Sequence, residues 1–95
     1  MAKRYFRITD VVKLCSVSKR FVIFLERENL ITPVVRKHEK VYPLKEVDRI
    51  RVARVLVREM GVNLEGVEIV LHMREQIISI RQRLSTLMIK LPPEE

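Results

Sequence analysis

Two short amphipathic helices are predicted near the start of the chain. Between residues 8 and 15 the apolar residues recur at helical spacing, and Thr9 is placed to cap that helix. After a short break, Ser18 is placed to cap a second helix that ends near Asn29. A helix-turn-helix has this form, and its second helix typically enters the major groove of DNA. The apolar residues that we expect to face inward are Val11, Val12, Leu14, Cys15, Phe21, Val22, Phe24 and Leu25.

The next stretch predicts a β-hairpin followed by a third helix. Residues 34–35 and 41–42 favour strands, and residues 36–39 are expected to form the tip between them. Pro43 suits the first position of a helix, which runs to about residue 60 with Gly61 as its stop. The chain is therefore expected to be mainly α-helical with one small hairpin.

Asn63 is expected to cap a last, long helix whose apolar residues repeat every seven positions. Such a repeat predicts a coiled-coil seam, and a helix of this length extends beyond a small head and needs a partner. The alternative is that it folds back on its own domain, as we expect of its first turns. The predicted organisation is a head at 1–68, a coiled-coil helix at 69–91 and a tail at 92–95. The seam residues are Val70, Met73, Ile77, Ile80, Leu84, Leu87 and Leu91.

The charge of the chain is concentrated in its first part. Residues 1–60 contain 15 Lys and Arg against 7 Asp and Glu, whereas residues 61–95 contain 4 and 5. A basic head favours a polyanion as partner, and a merely solvated surface is the alternative. The single cysteine fits a reducing compartment, and no apolar run reaches the length of a membrane helix. We expect a cytoplasmic protein with no membrane partner.

The residue types that carry catalysis or bind metals do not form a recognisable set. The candidates are His38, His72 and Cys15, which we place on the hairpin, on a helix surface and in the core. We therefore expect no enzyme, no metal site and no cofactor. The third helix has four arginines, Arg49, Arg51, Arg54 and Arg58. They are open to two interpretations: contact with phosphates, or pairing with Glu46, Asp48 and Glu59. We favour the pairing for Arg54 and Arg58 and leave both interpretations open for Arg49 and Arg51.

The order of these motifs resembles the MerR family of regulators over about residues 5–91. The resemblance rests on ITDVVKL at 8–14, VSKR at 17–20, Glu26, LITP at 30–33, VY at 41–42 and VDRI at 47–50. It continues through GVNLEGVEIVL at 61–71. This last stretch is most similar to a chaperone-linked branch, which contains heat-shock repressors of the HspR type and chaperone modulators of the CbpM type.

The resemblance implies a winged helix-turn-helix head and a C-terminal helix that dimerises as an antiparallel coiled coil. Its implied function is a transcriptional regulator without an effector domain that binds a palindromic operator in double-stranded DNA as a homodimer. Arginine can bind guanine through two hydrogen bonds, and lysine can neutralise phosphate. The expected DNA-binding residues are Ser18, Lys19, Arg20 and Arg27 of the recognition helix and Arg36, Lys37, His38 and Lys40 of the wing.

Two departures from the family pattern favour a second function. Ile23 and Phe24 stand where family recognition helices usually carry Arg-Tyr, and HEK at 38–40 replaces the usual Gly-Tyr-Arg of the wing. The chain is in this respect similar to a CbpM-like chaperone modulator, which implies a J-domain co-chaperone, or its Hsp70, as partner. The basic head favours the DNA-binding alternative, because phosphate contacts supply much of the affinity for DNA.

Overall fold

The computed structural model describes residues 4–90, with side chains for residues 4–88. It is mainly helical, with one small antiparallel sheet, as a winged helix requires. Leu91 of the predicted seam and the predicted tail at 92–95 lie outside the described residues. The elements in chain order are β1 (Tyr5–Phe6), α1 (Ile8–Cys15), α2 (Lys19–Arg27), β2 (Val34–Arg36), β3 (Glu39–Pro43), α3 (Leu44–Arg54), a π-helical segment (Val55–Glu59) and α4 (Leu64–Lys90).

The helix-turn-helix forms as predicted, with one cap changed. The Ser18 hydroxyl accepts a hydrogen bond from the Phe21 N–H at 3.0 Å, so Ser18 caps α2 as expected. Thr9 was the wrong cap for α1: the helix begins at Ile8, and the Arg7 N–H donates to Asp10 Oδ2 at 3.4 Å. Asn29 has a φ of 59°, the left-handed conformation predicted for the end of the second helix.

The hairpin has a tighter tip than the sequence predicted. Arg36 pairs with Glu39, so only Lys37 and His38 form the turn. Both have positive φ, 52° and 64°, which is the backbone of a type I′ turn. Neither residue is typical there, which is why the pattern indicated a longer tip. The strand order is β1-β3-β2, and the sequence pattern did not predict β1.

One core joins the first three helices, the sheet and the first turns of α4. The predictions for Cys15, Val11, Val22 and Leu25 are confirmed. Leu14 and Phe24 were wrongly placed in the core and are 47% and 43% exposed. Each precedes a buried residue by one position. Because one position turns a helix by about 100°, the side chain points away from the buried face. The buried residues are Val11, Cys15, Val17, Val22, Leu25, Leu30, Ile31, Tyr42, Val47, Ile50, Ala53, Leu56, Val67 and Leu71.

The third helix and α4 begin and end close to the predicted positions. The helix continues from α3 through the π-helical segment, where the Met60 N–H donates to Val55 O, and Gly61 follows with a φ of +65°. Asn63 caps α4 as expected, because its Oδ1 accepts from the Gly66 N–H at 2.9 Å. Across residues 4–90 no helix is both long and apolar enough to span a membrane.

Candidate nucleic-acid interface

The outer face of α2 carries three cations around an apolar centre. Lys19, Arg20 and Arg27 line a shallow hollow together with Ile23 and Phe24. All three cations are exposed, and none forms an ion pair with another residue in the described part of the chain. Their charges are therefore available to a ligand. The predicted residues of the recognition helix are brought together on one face, while Ser18 is engaged as the helix cap.

The wing presents its cations at the tip and on both of its strands. Lys37 and His38 form the turn and are exposed. The Arg36 guanidinium lies over the ring of Tyr5, with its carbon 4.3 Å from the ring centroid. Glu39 is paired with Arg7, whose Nε lies 3.1 Å from the carboxylate, so the acidic charge at the tip is partly offset.

Glu26 joins the recognition helix to the wing. Its carboxylate accepts a hydrogen bond from the Tyr42 hydroxyl at 3.1 Å and forms an ion pair with Lys40. Lys40, a predicted DNA contact, therefore already forms an ion pair with a carboxylate of the recognition helix. Burial, and secondarily the charge of Glu26, raises the pKa of Tyr42 to about 12. The sequence motif contained Glu26 but gave no signal for this connection, which depends on the strand register.

The arginines of the third helix bind backbone carbonyls that lie before and after α2. Arg49 Nε donates to Leu30 O, after α2, at 2.8 Å. Before α2, Ser16 O accepts from Arg54 Nε at 3.2 Å and from Arg58 Nη1 at 3.1 Å. These contacts confirm the structural interpretation for Arg54 and Arg58, and they show that Arg49, whose role the sequence left open, also binds within the head. The expected ion pairs with Glu46 and Glu59 form, whereas Asp48 pairs with Arg74 of α4.

Cys15, His72 and His38 lie in three separate parts of the structure. Cys15 is buried, and burial raises the pKa of its thiol although Arg51 opposes the shift. His72 is exposed on α4 beside Gln76, and His38 is at the wing tip. Within residues 4–90 no three His, Cys, Asp or Glu side chains converge in a way that could hold a metal ion.

The predicted seam of α4 is partly buried where it begins and exposed beyond that point. Val67 and Leu71 are buried in the core, and Val70 is partly buried against it. The following seam residues are between 50% and 59% exposed, which leaves an apolar stripe that no described residue of the head covers. They are Met73, Ile77, Ile80, Leu84 and Leu87.

A comparison with known families identifies the family of this chain. The sequence model of the family described as "MerR HTH family regulatory protein" matches residues 6–88, from β1 into the last turns of α4. The chain belongs to the MerR family. No curated protein matches it. Its helix-turn-helix is thus the DNA-binding domain of a transcription regulator, a fold that is not typically enzymatic.

The part of the chain that the MerR family model matches includes α2 and the hairpin. The match also covers most of α4, which places the exposed stripe within the matched region of this MerR chain. The family match does not distinguish the chaperone-linked branch from the others.

Proposed function

We propose that this MerR-family chain is a homodimeric regulator that binds a palindromic operator. The observation that carries the proposal is the exposed cationic face of α2 beside a wing with a cationic tip. Arg20 is suited to a guanine edge at the start of the recognition helix, while Lys19, Arg27 and Lys37 are suited to phosphates. Two such heads would read two half-sites about one helical turn apart.

The exposed stripe of α4 supports the homodimer. Large apolar side chains repeat at heptad spacing over its outer half, and a second copy of the same stripe is the partner with matching shape. Members of this family commonly dimerise. Leu84→Glu is expected to give a monomer in sedimentation velocity, with a matched Gln82→Glu control on the same helix remaining a dimer. A monomer that binds a whole palindrome as tightly as the dimer would contradict the two-half-site mechanism.

DNA affinity measured against salt tests the proposed function directly. Five assigned cations per head, Lys19, Arg20, Arg27, Arg36 and Lys37, form no ion pair among the described residues. If all five met phosphates in both heads, the slope of log K against log salt would be about −9, which is an upper bound in magnitude. Affinity that does not change with salt, or no binding to any duplex, would refute the proposal.

Substitutions separate base contacts from phosphate contacts. Arg20→Ala should relax base preference at one position per half-site, at a cost of about 1–3 kcal/mol for each guanine that the arginine no longer binds. Lys37→Ala should weaken binding to all sequences alike and reduce the salt slope of the dimer by about 1.8. Arg83→Ala removes the same charge from the exposed outer half of α4 and serves as the control. Equal effects of Lys37→Ala and Arg83→Ala would show that the wing does not contact DNA.

The apolar centre of the α2 face favours a second candidate function, a CbpM-like modulator that binds a J-domain co-chaperone. Phe24 is 43% exposed and Ile23 is half-buried beside it, in the position where a DNA-reading helix benefits from polar groups. Under this alternative, Phe24→Ala should abolish binding to a purified J-domain co-chaperone in calorimetry. Under the DNA-binding proposal, the same variant should retain its salt-dependent affinity for duplex DNA, and the J-domain protein should not bind at all.

A further inference from the structure

The last ion pairs between α4 and the head, among the described residues, are formed by two consecutive side chains, Arg74 and Glu75. Arg74 pairs with Asp48 of α3, with 2.5 Å between Nη2 and Oδ2. Glu75 is joined through Oε1 to Arg49 Nη1 and lies 3.9 Å from Lys45 Nζ. Before this point Val67 and Leu71 are buried in the core. Beyond it α4 continues to Lys90 as a rod, and residues 76–88 of this rod are exposed except for the half-buried Ser79.

Arg49 is the centre of this attachment. Its Nε donates to Leu30 O at 2.8 Å and lies 3.7 Å from Glu46 Oε2, while its Nη1 contacts Glu75. The side chain is only 15% exposed, so water screens these contacts weakly. A planar guanidinium with several partners has its orientation fixed by all of them at once. Arg49 therefore sets the position of Glu75 relative to the head.

The same network reaches the chain segment that follows α2. Leu30, bound by Arg49, lies in this segment, and Glu46 Oε1 accepts from the Thr32 N–H at 2.8 Å. The segment that follows the recognition helix and the rod are thus both attached to one α3 side chain, Arg49. A change in the direction of α4 relative to Arg49 is also a change relative to the recognition helix.

We propose that Arg49 and Glu75 are positioning residues that set the angle at which α4 leaves the head, and thereby the half-site spacing that the dimer accepts. The spacing part of this inference rests on the proposed function. From Glu75 to Lys90 the rod extends about 22 Å. A tilt of about 10° at its base moves the far end by about 4 Å, more than the rise of one base pair, about 3.4 Å.

The first experiment measures the angle without DNA. The native cysteine is removed by Cys15→Ala, and spin labels are attached at Lys13→Cys on α1 and Arg83→Cys on α4. Labelled chains are diluted with unlabelled ones, so that the measured distances between labels lie within one chain. We expect a narrow distribution for the unmodified network, a broader one for Glu75→Gln and the broadest for Glu75→Lys, which places a cation against Arg49. Glu68, an exposed residue of the same helix with no ion pair among the described residues, provides the matched controls Glu68→Gln and Glu68→Lys. Equal widths in all five proteins would overturn the proposal.

The second experiment measures spacing preference. Binding is titrated against palindromes whose half-sites are moved apart in single base-pair steps, and against an isolated half-site. Glu75→Gln should reduce the ratio of the affinities for the best and the next-best spacing by about threefold to fivefold, because this is the size of effect that loss of a partly exposed ion pair produces. The affinity for an isolated half-site should stay unchanged. Glu68→Gln should keep the original profile. A Glu75→Gln profile equal to the original would refute the spacing role. Failure of the unsubstituted protein to bind any palindrome would refute the proposed function instead, and the distance distributions would still decide the positioning role.

Discussion

Tyr42→Phe tests the connection between the recognition helix and the wing. Tyr42 is 1% exposed, and its hydroxyl donates to Glu26 Oε1 at 3.1 Å. The substitution removes this donor and leaves the ring in place. The Glu26 carboxylate then keeps its ion pair with Lys40. The variant therefore isolates one hydrogen bond between β3 and α2.

The structure sets the size of the effect and its dependence on pH. A hydrogen bond to a charged group contributes about 1.5–3 kcal/mol, and the lower end applies because Glu26 retains Lys40. Near neutral pH we expect a loss of about 1.5 kcal/mol in the free energy of unfolding, or a fall of about 6–12 °C in Tm. Folding raises the pKa of Tyr42 from 10.0 to about 12. The stability from the protonated hydroxyl is therefore complete below about pH 10 and is lost as the pH rises through about 12.

This shift predicts that the effect of the substitution changes sign. As the pH rises through the full titration of Tyr42, the free energy of unfolding of the native chain falls by about 2.7 kcal/mol, and Tyr42→Phe does not share this fall. About 1.4 kcal/mol of the fall has occurred by about pH 11. The two proteins should be equally stable near that pH, and above it the variant should be the more stable one.

Urea denaturation followed by far-ultraviolet circular dichroism, at one protein concentration and at steps from about pH 7 to about pH 12, measures the crossing. Tyr5→Phe, at an exposed tyrosine of β1, is the control and should retain the pH dependence of the native chain. A stability difference between Tyr42→Phe and the native chain that stays constant with pH would refute the proposed bond to Glu26.

Three further predictions concern the stability of the head and its relation to binding. Ser18→Ala removes the cap of α2 and should cost about 1 kcal/mol in chemical denaturation; an unchanged midpoint would contradict the capping contact. The double variant Lys37→Asn/His38→Gly places at the two tip positions the residues that favour a left-handed backbone, so it should raise Tm. It also removes the tip cation and should weaken DNA binding, and a lower Tm would argue against the type I′ turn. Leu25→Ala should cost about 2–5 kcal/mol because the side chain is 1% exposed, whereas Leu84→Ala, at 54% exposure, should leave the unfolding of a dilute monomeric head nearly unchanged.

Local patterns were sufficient for much of the fold. The caps Ser18 and Asn63 and the helix stop at Gly61 were predicted because each depends on residues within one turn of chain. The heptad repeat predicted a face of α4 that the head leaves exposed. The dimer that would cover this face stays a prediction, as does the role of each DNA-binding residue.

The errors arose where one residue had several local options. Phe24 is apolar and next to Leu25, so the sequence placed it in the core, but the head needs only a narrow face of α2 and leaves Phe24 exposed. Lys37 and His38 are poor candidates for positive φ, yet the register of β2 and β3 forces both into it. In each case the packing of neighbouring elements overrides a local preference worth about 1 kcal/mol.

By itself the sequence determined the helix-turn-helix, the hairpin, the long helix and the concentration of positive charge in the head, because periodicity, caps and charge are properties of short segments. Which cations are engaged within the head depends on the folded structure. Arg49, Arg54 and Arg58 bind backbone carbonyls before and after α2, while Lys19, Arg20 and Arg27 lie exposed on its outer face. A guanidinium binds whichever acceptor lies within about 3 Å, and the nearest acceptor is fixed by contacts between residues far apart in the chain.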